Sequence, residues 1–145
     1  MSTTEFDVSK YILENKGVMS AMKLQKLVYY SQAWSLVWDE EELFREDFQA
    51  WANGPVLRSL YNEHRGMFKV TTKTFPDGDS SKLNICQKET IDKVLNFYGD
   101  KTAQWLSNLT HKEEPWKQAR EGLEAMESAE VVITKGSMEE YYSAL

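Results

Sequence analysis

Between Leu106 and Trp116 the chain reads Leu-Ser-Asn-Leu-Thr-His-Lys-Glu-Glu-Pro-Trp, which places a hydroxyl (Thr110), an imidazole (His111) and two carboxylates (Glu113, Glu114) within five positions. A histidine next to a carboxylate is the material of a general base, and a neighbouring hydroxyl is what such a base would activate in a hydrolase-like site. The same residues also suit a corner between two helices. An imidazole near a helix C-terminus and acids ahead of Pro115 at the next N-terminus each complement a helix dipole. The corner reading asks for less and is the expectation, with a hydrolase-like site at Thr110/His111 as the alternative.

Elsewhere the catalytic inventory is thin. The chain contains no phosphate loop, no dinucleotide-binding glycine fingerprint, no His-Glu-x-x-His and no Gly-x-Ser-x-Gly. Cys86 is the single cysteine, so an internal disulfide framework and multi-cysteine zinc sites are excluded. Flanked by Leu83 and Ile85, it reads as a small buried side chain. His64, beside Arg65 late in a helical stretch, reads as a solvated or capping residue. No cofactor, no metal and no catalytic residue is expected.

The elements that position these groups are mainly helical. Val8, Tyr11 and Ile12 mark a first helix over residues 6–15, closed by Gly17. Ser20 caps a longer one that runs to about Trp38. At about 100° per residue, Leu24, Leu27, Val28, Ser31, Trp34, Ser35 and Trp38 form one face of this helix, and Met22, Tyr29, Ala33, Leu36 and Val37 the opposite one. Such a helix must lie between other elements. Gln25 and Gln32 fall on one seam between the faces, and Lys23 and Lys26 flank the other.

Beyond the acidic run Asp39–Glu42, residues 48–52 alternate as a weak strand. At Asn53-Gly54-Pro55 the glycine suits a strained turn and the proline the first position of a helix carrying Val56, Leu57, Leu60 and Tyr61. Residues 68–75 are β-branched and aromatic and predict a strand, paired with either 48–52 or 131–133. Residues 76–81 predict a mobile surface turn. Further helices are expected over 87–98, from Thr102, from Pro115, and from a capping box of Ser137 and Glu140 ahead of Tyr141 and Tyr142. The fold class is mainly α: a single compact domain, 1–145, of about six or seven helices around a central buried helix, with a small β element.

Composition agrees. The 145 residues are 41% hydrophobic and 12% aromatic, too apolar for a disordered chain, and long enough for one core without staples. Seventeen basic against twenty-three acidic residues give a net charge of −6, which disfavours approach to a phosphate backbone, so no direct nucleic-acid binding is expected. The acidic stretch from Asp39 to Asp47 could meet a basic partner in a salt-dependent way. The first residues have neither a basic nor an apolar region of the kind a signal peptide needs, and residues 21–38 are too polar to span a bilayer. A cytoplasmic location without membrane association is therefore expected.

Four blocks then occur in order: Met22-Lys23-Leu24-Gln25-Lys26-Leu27-Val28-Tyr29-Tyr30-Ser31-Gln32; Trp51-Ala52-Asn53-Gly54-Pro55-Val56; Leu109-Thr110-His111-Lys112-Glu113-Glu114-Pro115-Trp116; and Ile133 with Met138, Tyr141 and Tyr142. This arrangement resembles the Panacea domain, the SocA-like or GepA-like family of phage-associated antitoxins, from about Val8 to Tyr142. The resemblance implies a prophage-type antitoxin of a toxin–antitoxin system that neutralises a cognate toxin encoded nearby by protein binding. It also admits a proteolytic adaptor that delivers the toxin to a cellular protease. Candidate partner-binding residues are Lys23, Gln25, Lys26, Tyr29, Gln32, Trp51, Gly54, Pro55, His111 and Trp116. A homodimer is compatible with it, and a phage assembly protein is a third reading.

Overall fold

The helix capped by Ser20 organises the molecule. In the computed structural model, which describes residues 2–145, it is α2 (Ala21–Trp38), and the Ser20 hydroxyl accepts from the Lys23 N–H. Thirteen of its eighteen residues are buried, as expected of a helix apolar on two sides. It is packed by α1 (Glu5–Lys16), α4 (Ile85–Tyr98), α5 (Ala103–Lys112) and α7 (Lys135–Ser143). Leu24, Leu27 and Val28 are fully covered, each contributing about 1.5–3 kcal/mol of hydrophobic burial. Tyr30 stacks on Tyr98 with ring centroids 4.2 Å apart, fixing α2 against α4.

Two smaller helices, α3 (Arg58–His64) and α6 (Glu114–Ala119), bring the number of α-helices among the described residues to seven. The rest is two small antiparallel sheets. In one, β1 (Met19–Ser20) pairs with β4 (Lys69–Val70). In the other, β2 (Phe48–Trp51) lies between β3 (Gly54–Val56) and β5 (Val132–Ile133), with Trp51 opposite Gly54 and Phe48 opposite Ile133. One hydrophobic core runs from Val8 to Tyr142.

Several expectations are corrected. Pro55 does not begin a helix: it lies in β3 opposite Ala50, and α3 starts three residues later. Of residues 68–75 only two form strand, and they pair with β1, because the far edge of β2 is taken by β5. Residues 76–81 are tied down. The Asp79 N–H donates to Asp7 Oδ1 at 2.8 Å, and a Cβ on Gly78 would stand 2.4 Å from the Phe6 carbonyl oxygen, so only glycine lets these backbones approach. The last helix is capped by Thr134, whose hydroxyl accepts from the Ser137 N–H; Ser137 is inside the helix and opens no capping box. Cys86 is exposed on the first turn of α4, not buried, because that turn projects past the core.

Candidate functional site

Seven of the ten residues singled out by sequence converge on the β2–β3 hairpin, and three of them, Lys26, His111 and Trp116, hold its backbone. Ala52 and Asn53 form the loop, and Gly54 carries the strained torsion at φ 122°. Side chains from three helices then take the hairpin's carbonyl oxygens in succession. Arg120 Nη1 donates to Ala50 O at 2.9 Å and Trp116 Nε1 to Trp51 O at 2.8 Å. His111 Nε2 lies 3.1 Å from Ala52 O, and the Ser107 hydroxyl donates to Asn53 O at 2.9 Å. From α2, Lys26 Nζ donates to Pro55 O at 3.4 Å. A loop whose backbone polar groups are met this completely is held in one conformation.

The two seam glutamines act in the same manner. Gln25 donates to Leu57 O (3.2 Å) and accepts from Leu57 N–H (2.9 Å), while Gln32 donates to Phe44 O (2.9 Å) and accepts from Leu43 N–H (2.6 Å). Seven residues apart on α2, they clamp the chain segments that enter and leave the hairpin. Gln25 Nε2 also lies 3.0 Å from His64 Nε2. His64 is therefore neither solvated nor capping but buried beneath the hairpin, and burial holds its imidazole below the usual range.

The catalytic alternative is not assembled. Thr110 donates to Ser107 O at 2.7 Å, and both ring nitrogens of His111 face backbone carbonyl oxygens, those of Ser107 (2.6 Å) and Ala52 (3.1 Å). Glu113 turns away into the core, where Tyr30 and Tyr142 each donate to its Oε1 at 2.7 Å. Burial pushes its carboxyl up, and the two tyrosine hydroxyls partly offset this. Neither a nucleophile–base pair nor a base–carboxylate pair exists here. The residues that terminate α5 and begin α6 form the helix corner.

Two cavities flank the hairpin and share Ala52 and Asn53. One, of about 530 Å³, is walled by Met22, Gln25, Lys26, Trp51, Val56, Arg58, Tyr61 and His64, with residues 128–130 at its rim. The other, of about 510 Å³, is walled by His111, Trp116, Arg120 and residues 123–126. Lys26 is 1% exposed, and burial brings its ammonium down to about 8. Arg58 lies over the Trp51 ring at 5.6 Å and pairs with Glu130 at 2.8 Å.

Of the sequence candidates, Gln25, Lys26, Trp51, Gly54, Pro55, His111 and Trp116 thus meet at one place. Tyr29 and Gln32 are buried at 1% exposure and lie outside both cavities, and Lys23 is half-buried away from them. In the acidic stretch, Lys135 is 2.8 Å from Asp47 and 3.7 Å from Glu42, which neutralises part of it. Ser107, Arg120 and His64 were missed by sequence reasoning, because their partners are a backbone and a glutamine side chain distant along the chain. An arginine four positions after Trp116, about one helical turn on, is the one signal that the sequence offers.

Among the described residues no group of His, Cys, Asp and Glu could hold a metal ion, and no helix is long and apolar enough to cross a membrane. No curated protein and no solved structure matches the chain. A family model, described as antitoxin SocA-like, Panacea domain, matches residues 24–117, from the buried face of α2 through the clamped hairpin to Trp116 and Lys117 on α6. That match covers more than half of the chain and every side chain that clamps the hairpin except Arg120, so the protein belongs to the SocA-like antitoxin family with a Panacea domain.

Proposed function

We propose that the chain is a non-enzymatic, cytoplasmic antitoxin that neutralises a cognate toxin by direct binding, with the Ala52–Asn53 tip of the hairpin and the rims of the two cavities as the contact surface. The observation that carries this is the clamping of the hairpin by Lys26, Ser107, His111, Trp116 and Arg120. So many polar side chains spent on immobilising one loop pre-organise it, and a pre-organised surface loses little entropy when a partner docks. Trp51 and Tyr61, packed edge to face at 4.9 Å beside the loop, are suitable aromatic anchors. The helix corner at Thr110–Pro115 serves this architecture and performs no reaction.

The test is a growth assay with the neighbouring open reading frame expressed alone and together with this chain. Toxicity relieved by co-expression is expected. Asn53→Arg, at an exposed position, should abolish relief without changing expression or melting temperature. Relief that survives both Ala52→Arg and Asn53→Arg would overturn the assignment of this face. Relief lost in hosts lacking a cytoplasmic protease would replace direct inhibition by delivery for degradation.

A further inference from the structure

The buried ammonium of Lys26 has more charge and donor capacity than its one long bond to the hairpin uses. Among the described residues its one hydrogen-bond acceptor is Pro55 O, at 3.4 Å, and every ion pair lies elsewhere. An unpaired charge away from water is costly, and a methionine of similar length would hold the same space without that cost. Space has been made for it nonetheless. A Cβ on Gly54 would stand 2.6 Å from Lys26 Cε and 3.1 Å from Nζ.

The charged and titratable groups around the cavity leave this charge unopposed. Gln25 is oriented by both polar groups of Leu57, so the Nε2 it turns to His64 can only donate. His64 Nε2 must accept, which makes that ring neutral. Arg58 and Glu130 pair with each other at the rim, and Tyr61 contributes a phenol. The interior thus carries one net positive charge, beside the apolar walls of Met22, Trp51 and Val56.

We infer that the cavity bounded by Lys26, Trp51 and His64 is a binding site for a monocarboxylate carried on an apolar or aromatic body. A single ammonium matches a single negative charge, whereas a phosphate dianion would ask for a second cation that the interior lacks. About 530 Å³ is within the range of small-ligand sites. The carboxylate belongs either to a free small acid or to the C-terminus of a polypeptide. The site rests on the cavity and its unpaired lysine, not on toxin neutralisation, and it can be tested without a toxin.

The probes are 3-phenylpropionate and its neutral amide, and a pentapeptide ending in phenylalanine with a free or an amidated C-terminus, titrated into the full chain by calorimetry and by NMR. An acid should bind at least about tenfold tighter than its amide, and its affinity should fall as the pH is raised through the lysine's range near 8. In Lys26→Met that preference should vanish, with the circular dichroism spectrum retained. Tighter binding of the small acid assigns the site to a metabolite-like ligand, and tighter binding of the free-ended peptide assigns it to a polypeptide terminus. Equal binding of acids and amides, an acid preference that persists in Lys26→Met, or no saturable binding up to about 10 mM would each overturn the inference. Should Lys26→Met not fold, the acid–amide comparison and its pH dependence in the unaltered chain decide the matter.

Discussion

Gln25 Nε2 lies 3.0 Å from His64 Nε2, and the backbone of Leu57 fixes which of the two donates. One amide on α2 thus sets the tautomer of a histidine on α3 and holds the chain that leaves the hairpin. Gln25→Leu removes the partners of a buried N–H and a buried carbonyl at once. The expected loss is about 2–5 kcal/mol, read from urea unfolding. Gln25→Glu keeps the acceptor for Leu57 N–H but turns a carboxylate toward His64. Its imidazole, held low by burial in the unaltered chain, should then titrate higher in an NMR pH series. An unmoved titration would place the ring elsewhere.

Lys26 makes stability depend on pH in a direction opposite to that of a paired lysine. Its folded ammonium titrates at about 8, against 10.5 for a free lysine. Between these values the unfolded chain holds the extra proton, so this contribution raises stability as pH rises. Below pH 8 both states are charged and the burial cost is fully felt. Lys26→Met should therefore be more stable than the unaltered chain at pH 7, by about 2–3 kcal/mol, and the gap should close by about pH 10.5. Buried tyrosines such as Tyr30, raised by burial, weaken both proteins alike at high pH and cancel in the difference. A gap that does not vary with pH would show that the Lys26 ammonium titrates in the folded chain as it does in the unfolded one and is not held down by burial.

Much of this arrangement could be read from residue spacing. The two apolar faces of residues 21–38 require a central helix, and Gly54 marks the turn, because both signals act through local geometry. What could not be read is partner choice. Pro55 suits a helix start or an edge strand equally, and only the presence of Ala50 across the hairpin decides it. The roles of His64, Ser107 and Arg120 depend on contacts across 39, 54 and 70 positions, respectively, to which no periodicity is sensitive. His111 admits a catalytic alternative to the helix corner because clamps and general bases draw on the same side chain.

Glu113 accepts from two buried hydroxyls, those of Tyr30 and Tyr142, and this gives its variants an order. Glu113→Gln retains an oxygen for Tyr30 and Tyr142 and should cost little. Glu113→Ala orphans the Tyr30 hydroxyl, leaves Tyr142 only the Tyr29 hydroxyl at 3.1 Å, and should cost about 2–4 kcal/mol. Burial raises the native carboxyl above its value of 4.5, so the native state binds its proton first as pH falls. That term stabilises the fold as pH drops through the native value toward 4.5, and Glu113→Gln lacks it. Unfolding of the two proteins should show the unaltered chain gaining on the variant in that window. A gain for the variant would mean the carboxylate is held ionised.

His111 anchors Ala52 O and lies against Trp116, with ring centroids 4.1 Å apart. His111→Phe keeps the ring contact and removes both nitrogens. A loss of about 1–2 kcal/mol is expected in urea unfolding, with toxin relief weakened because the Ala52 end of the hairpin is no longer held. An unchanged stability would show that the ring nitrogens are not bonded to these carbonyl oxygens.

Gly54 combines two constraints that can be separated. At φ 122° a residue with a side chain is strained whatever the space, at about 1–3 kcal/mol. Its Cβ would also stand 2.6 Å from Lys26 Cε and 3.2 Å from Thr110 Oγ1. Gly54→Ala should therefore lower the melting temperature, and the β-branched Gly54→Val should lower it further. Removing the lysine end in Lys26→Ala/Gly54→Ala relieves the first contact but neither the torsion nor the threonine. A double-mutant cycle should accordingly show coupling of the rescuing sign that recovers only part of the Gly54→Ala loss. Full recovery would place the whole cost in the lysine, and no recovery would place it in the backbone. An unchanged melting temperature in Gly54→Val would be incompatible with the clamped hairpin itself.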